Sequence, residues 1–154
     1  MKVKDVMQHA VAFCSRNTNL AEATELIWKN GCGCLPVVGE AGNVIAMITD
    51  RDICIALGTR NERASQVFVS QIMHPRLFTC MPDDDIHCAL KTFRSHHVRR
   101  LPVVDSGNFL QGILCMDDIA AHASSLGSRE TLSFEDVVST YQAICQKQKG
   151  EHHA

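Results

Sequence analysis

The residues best placed to do chemistry are Thr49, Asp50, Arg51 and Asp52, which an apolar run from Val44 to Ile48 delivers at the start of a helical pattern. A strand-to-helix junction leaves backbone N–H groups without intrahelical partners. With the positive end of the helix dipole, these favour an anion. The Thr49 hydroxyl suits a phosphate or sugar oxygen, and the short Asp52 carboxylate suits two vicinal ribose hydroxyls. Taken alone, Thr-x-x-Asp is also simply a way to start a helix. The pattern gains weight from its return, because Asp118 stands 66 positions further on in the same setting.

The other reactive side chains read as structural. The eight cysteines are spread over the chain, mostly inside apolar stretches where a free thiol behaves as a small buried hydrophobe. There is no Cys-x-x-Cys pair, and Cys32-Gly33-Cys34 has no second pair at zinc-site spacing. Asp83-Asp84-Asp85 follows Pro82 at a helix start and reads as capping rather than a cation site. His96-His97 falls at a helix end, where a histidine favours the negative end of the dipole. His152-His153 lies in a polar tail from Gln146 to Ala154 and reads as frayed. No nucleophile stands beside a base and no glycine-rich phosphate loop is present, so a catalyst is not expected.

The elements that position the junctions come in two copies. Val3-Lys4-Asp5-Val6-Met7 returns as Val69-Ser70-Gln71-Ile72-Met73, Leu35-Pro36-Val37-Val38 as Leu101-Pro102-Val103-Val104, and Ile48 to Ile53 as Leu114 to Ile119, all at the one offset of 66. A period this long signals a duplicated small domain, not a solenoid. In the first copy Val11–Cys14 predicts a strand. Asn19–Asn30 predicts a helix with Leu20, Ala23 and Ile27 on one face, capped by Asn19 and ended by Gly31. Strands Cys34–Val38 and Val44–Ile48 flank a turn at Gly39–Asn43, and a short helix Asp50–Leu57 stops at Gly58. The second copy predicts an extended Leu77–Cys80, a helix carrying Ile86, Ala89, Leu90 and Phe93, strands Leu101–Val104 and Phe109–Leu114, and a helix Met116–Ala123. Trp28, Met47 and Phe93 are expected in the core. After Gly127 the repeat stops; Ser133–Asp136 resembles a capping box, and Phe134, Val137, Val138, Tyr141 and Ile144 form the stripe of one unmatched amphipathic helix.

At 154 residues the chain suits one compact assembly, and each half, near the lower size limit for its own core, gains from a shared face. A net charge of −2 offers no field for nucleic acid or an anionic membrane, and aromatics at 5% are not interleaved with basic residues. No apolar run approaches a membrane span, and Met1-Lys2-Val3-Lys4-Asp5 lacks a signal-like apolar stretch, so a soluble cytoplasmic protein is expected.

The duplicated opening, the Leu-Pro-Val-Val strand and the strand leading into Thr-Asp-Arg-Asp-Ile closely resemble a tandem pair of cystathionine-beta-synthase (CBS) domains, the Bateman module. The resemblance covers about residues 1–124. It implies an α/β (α+β) fold of two β-α-β-β-α domains, 1–62 and 63–126, related by pseudo-twofold symmetry, with a C-terminal helix and polar tail over 127–154. It further implies clefts where the halves meet that take adenosine compounds such as AMP, ADP, ATP or S-adenosylmethionine, with NADH also to be tested. In such modules the junction Thr and Asp hold phosphate or ribose, and the residues before the Pro-Val strand contact phosphate. The matching positions are Thr49 and Asp52, Cys115 and Asp118, Gly33-Cys34 and Arg99-Arg100.

The copies have diverged. Arg99-Arg100 replaces Gly33-Cys34 with fixed charge and planar donors suited to phosphate. Cys115 replaces the Thr49 hydroxyl with a weaker thiol, and Asp117 stands where Arg51 stood and would repel a phosphate. Thr49, Asp52, Arg99 and Arg100 thus form the most complete set. The expected function is a non-catalytic sensor of an adenine nucleotide that signals through a homodimer or a regulated protein. The alternatives are a redox or metal sensor using Cys32, Cys34 and Cys115, and a purely structural dimerisation module. Ile53, Ile55, Leu57, Ile119 and the Phe134–Ile144 stripe are the expected apolar surface for a dimer.

Overall fold

The computed structural model describes residues 1–74, 76–125 and 131–148. They form two compact units, and the division does not follow the linear repeat. One unit is built on Ala10–Leu77 with Gly107–Phe109; the other takes Met1–His9, Phe78–Ser106 and the chain from Leu110 onward.

The first unit contains β1 (Cys14–Ser15), α1 (Leu20–Lys29), β2 (Cys34–Val38), β3 (Val44–Thr49) and α2 (Asp50–Arg60). Its sheet runs in the order β1-β2-β3, with β1 parallel and β3 antiparallel to β2. The Asn19 side chain accepts from the Glu22 amide at 3.0 Å, and Gly31 adopts φ +58° just past the helix end. Leu20, Ala23 and Ile27 bury against Leu35, Val37, Ala46 and Ile48. Two expectations fail locally. The first strand is shorter and shifted, because only Cys14 and Ser15 reach the β2 ladder. Helix α2 runs through Gly58, and Asn61 at φ 54° ends it instead, its amide donating to the Leu57 carbonyl at 3.2 Å. An exposed glycine weakens a helix by about 1 kcal/mol without ending it.

The second unit contains α3 (Ile86–His96), β4 (Arg100–Val104), β5 (Leu110–Cys115), α4 (Met116–His122) and α5 (Phe134–Gln148). Strands β4 and β5 pair antiparallel with the register of the first copy, Arg100 facing Cys115 as Cys34 faces Thr49. The predicted extended Leu77–Cys80 is reduced to one parallel bridge, Cys80 to Val103. Asp85 caps α3 by accepting from the His87 amide at 2.8 Å, as its position suggested. Ile86, Ala89, Leu90 and Phe93 are all buried.

The repeat openings are exchanged between the units. Val3–Asp5 packs in the second unit, where the Val3 and Lys4 amides donate to Asp84 and Pro82 carbonyls at 3.0 and 2.9 Å. Val69–Gln71 packs in the first, where the Val69 amide donates to the Thr18 carbonyl at 2.9 Å. Each exchanged segment also supplies a carbonyl to the first amide of a helix: Val67 to Leu20 at 2.8 Å, and Met1 to Ile86 at 3.1 Å. These are donors that a helix cannot satisfy itself. Beyond its turn the N-terminal segment lies along β5, with Gln8 and Ile113 exchanging both backbone bonds at 2.9 and 3.0 Å. Gly112 permits this approach, since a Cβ there would sit 2.4 Å from the Gln8 carbonyl oxygen.

Helix α5 packs back on α3 and α4 within the second unit. Its Ser133–Asp136 capping box is present, with the Ser133 hydroxyl donating to Asp136 at 2.6 Å and accepting from the Asp136 amide at 3.1 Å. The buried face is Val137, Thr140, Tyr141 and Ile144, while Phe134 and Val138 stand 55% and 54% exposed. Four further expectations are corrected. Trp28 lies off the buried face of α1 and is 84% exposed. Met47 is half-buried, and Ile53 and Ile119 are buried in their own units and unavailable to a dimer. Of the cysteines, Cys14, Cys34 and Cys80 are buried, but Cys54, Cys88 and Cys145 are exposed on helices. His152-His153 lies outside the described residues.

Candidate functional site

At the first junction β3 ends on Thr49 and α2 begins at once. Thr49 and Asp52 engage each other: the Thr49 amide and hydroxyl donate to Asp52 Oδ2 at 2.9 and 2.7 Å, and the Asp52 amide donates to Thr49 Oγ1 at 3.1 Å. This is a reciprocal capping box, half-buried and aligned. Across the ladder, Cys34 faces Thr49, and the Gly33 carbonyl accepts from the Asp50 amide at 3.3 Å. Arg51 is exposed on the first turn of α2.

The second junction repeats the backbone and changes the side chains. The Arg99 carbonyl accepts from the Met116 amide at 3.1 Å, the counterpart of the Gly33–Asp50 bond. Asp118 accepts from the Cys115 amide on Oδ2 at 2.9 Å and from Gln8 Nε2 on Oδ1 at 2.7 Å, so both its oxygens are engaged inside the unit. Arg99 and Arg100 line a small polar recess of about 70 Å³ with Cys115, Met116, Asp117 and Tyr141. Among the described residues neither guanidinium makes a hydrogen bond or an ion pair. The Tyr141 hydroxyl donates to Asp117 Oδ1 at 3.1 Å. Burial first, then that bond and the Asp117 charge, push the Tyr141 phenol above its ordinary pKa, while Arg99 and Arg100 pull it down.

Thr49, Arg51 and Asp52 therefore belong to the first unit, and Arg99, Arg100, Cys115 and Asp118 to the second, where Arg99, Arg100 and Cys115 share the recess and Asp118 bonds the Cys115 amide beside it. Two residues escape the sequence reading. Tyr141 reads there as one rung of an apolar stripe, and Gln8 carries no local signal. A roomier recess of about 450 Å³ on the first unit, between β1 and α1, is lined by Phe13, Cys14, Thr18, Glu22, Leu26 and Lys29 among others and contains none of the predicted site residues. The thiols of Cys14 and Cys80 are pushed up to about 12 by burial, helped at Cys80 by Asp84, and are protonated at neutral pH. Among the described residues no three His, Cys, Asp or Glu side chains group as a metal site, and no helix is long and apolar enough to cross a membrane.

Comparison with known proteins adds a family. The model of the CBS domain matches residues 3–59 and again 69–125. A CBS domain-containing protein of Bacillus subtilis, YhcV, is 37% identical over 123 residues, spanning 80% of this chain and 86% of that protein. Relatives that bear enzyme names, such as the L-aspartate semialdehyde sulfurtransferase of Methanosarcina acetivorans, are matched over only 23% of their length. Among solved structures, the CBS domain pair of protein MJ0100 in complex with 5′-methylthioadenosine and S-adenosyl-L-methionine superposes with a TM-score of 0.71 at 26% identity, over 79% of this chain and 94% of that one. Hypoxic Response Protein I with two coordinated zinc ions does so at 0.72 and 25%, over 80% and 100%.

Proposed function

The chain belongs to the CBS domain family, and from that premise we propose that it is a non-catalytic sensor of an adenosine-type nucleotide, of the AMP, ADP or ATP class, acting in the cytoplasm as a homodimer on a regulated protein. The observation that carries this reading is the Arg99–Arg100 pair: both residues line one polar recess, and neither side chain is hydrogen-bonded or ion-paired among the described residues. Planar, permanently charged forks of this kind engage phosphate oxygens in pairs. The pair stands at the start of β4, with Arg99 just before it and Arg100 its first residue, and the similar MJ0100 domain pair is one that holds two adenosine compounds. Within the first unit, Thr49 and Asp52 are the candidate ribose contacts in this reading, able to exchange their mutual bonds for bonds to a ligand. Asp118, with Gln8 and the Cys115 amide already on its two oxygens, is the weaker of the two carboxylates for that role.

A thermal-shift panel of AMP, ADP, ATP, NADH, S-adenosylmethionine and guanine nucleotides tests the class. A ligand at a hundred times its dissociation constant adds about 2.7 kcal/mol of stability, a readily measured rise in melting temperature. Adenine nucleotides should raise the midpoint more than guanine nucleotides. A panel in which nothing raises it ends the nucleotide reading, and a response confined to S-adenosylmethionine moves the ligand away from the phosphate class. Among the described residues no three His, Cys, Asp or Glu side chains group to support the metal alternative. Anaerobic thiol titration with a metal assay checks the thiol and metal alternatives on the same sample.

A further inference from the structure

Helix α5 lies beyond both segments that match the family, yet it delivers a side chain to the arginine recess. We propose that Tyr141 is a latch on that recess: its ring and hydroxyl stand where the phosphates of a nucleotide must enter, so that phosphate binding at Arg99 and Arg100 and departure of Tyr141 from Asp117 are one coupled event. The latch rests on the nucleotide reading and specifies how the site is regulated.

The position of Tyr141 is imposed by the helix. Ile144 and Leu132 are buried in the core of the unit, Arg94 Nη1 donates to the buried Thr140 hydroxyl at 3.0 Å, and His97 Nδ1 lies 2.9 Å from the Ala143 carbonyl oxygen. With α5 seated in this way, the recess is about 70 Å³. That admits a water or two at roughly 30 Å³ each, whereas pockets that enclose organic ligands start near 300 Å³. Asp117 serves both sides of the closure. It accepts the Tyr141 bond, and its charge opposes an entering phosphate. Arg99 and Arg100 are close enough to Tyr141 to act on its ionisation. Linkage then requires reciprocity: if phosphate binding releases the latch, breaking the latch must tighten phosphate binding. Because α5 rests on α3 and α4, release of Tyr141 changes a helix contact and gives the bound state an outlet.

The test uses the full chain as wild type, Tyr141→Phe and Tyr141→Ala, titrated calorimetrically with ATP and with adenosine. Tyr141→Phe, which keeps the ring and loses the bond to Asp117, should tighten ATP about fivefold, the equivalent of one ordinary hydrogen bond. Tyr141→Ala should tighten it further, and adenosine, which has no phosphate, should respond to neither variant. Tyr141 is the chain's one tyrosine, so nitration reports its accessibility directly. ATP should make the wild-type ring more reactive. ATP binding that is unchanged or weaker in both variants, or that shields the ring from nitration, overturns the latch and leaves the nucleotide reading standing. If none of the three cooperatively folding proteins binds ATP or adenosine, the nucleotide reading fails and the latch fails with it.

Discussion

At the scale of single residues, Thr49 and Asp52 carry two roles that mutation can separate. Their capping box is one unit of structure, so Thr49→Ala and Asp52→Ala should each cost about 1 kcal/mol of stability, and the double variant little more than the worse single one. Denaturant melts of the three variants check this. Binding is a different quantity. Asp52→Ala should weaken an adenine nucleotide by about 1.5–3 kcal/mol, the range for hydrogen bonds to a charged group, whereas Thr49→Ala should cost less. Calorimetry at a temperature where all variants are folded decides, and an unchanged affinity removes Asp52 from the site. Arg99→Ala with Arg100→Ala should weaken ATP far more than adenosine, because only phosphate gains from the guanidinium forks. Equal losses for the two ligands would show that neither arginine reads phosphate.

At the scale of elements, the N-terminal segment and α5 are the two additions on which the second unit depends. The segment lies close enough to β5 that Gly112→Ala forces its Cβ against the Gln8 carbonyl oxygen, at 2.4 Å before relaxation. The backbone must give way, at a cost of about 1–3 kcal/mol, read as a lowered unfolding midpoint. A neutral substitution would mean that the segment is not held against β5. Helix α5 carries a pH signature at its cap. The Ser133 hydroxyl holds the Asp136 carboxyl below its ordinary pKa, against the opposing effect of burial and with help from the Ser133 amide, His87 and Arg94. A depressed carboxylate adds stability that is complete above its unfolded value, about 3.9, and is lost as pH falls through the lower folded value. The acid limb of wild-type stability should therefore steepen below about pH 4, and Asp136→Asn, which caps without titrating, should flatten it. Identical acid limbs would sink the assignment.

At the scale of the whole molecule, the exchanged openings mean that neither repeat, cut at the sequence boundary, contains the parts of one compact unit. A chain ending at Gly127 also loses Leu132 and Ile144 from the second core and uncovers α3, so its melting temperature should fall. That truncation is not a neutral probe of assembly. A better one is Trp28, 84% exposed on α1 and the chain's one tryptophan, with Ile55 50% exposed on α2. If these residues cover one another in a homodimer, light scattering should give twice the chain mass at tens of micromolar, Trp28 emission should shift to the blue with concentration, and Trp28→Lys should return the monomer. A monomeric mass with invariant emission across that range would exclude a dimer through this face.

The sequence by itself determined the duplication, the two β-α-β-β-α patterns, the caps at Asn19, Asp85 and Ser133, and the buried faces of α1 and α3. All of these are written in neighbouring residues, through periodicity and through side chains that bond one to four positions away. It also marked Thr49, Asp52, Arg99 and Arg100 as the most complete set of candidate ligand residues. Only the tertiary structure decided which segment serves which unit, that Gln8 takes an oxygen of Asp118, that Tyr141 reaches Asp117, and that Trp28 faces outward while Ile53 and Ile119 face in. The reason is physical. Local pattern records that a face is apolar or a carboxylate is free to accept, but the partner is chosen by packing across 110 residues for Gln8 and 24 for Tyr141, a distance over which no periodicity carries information.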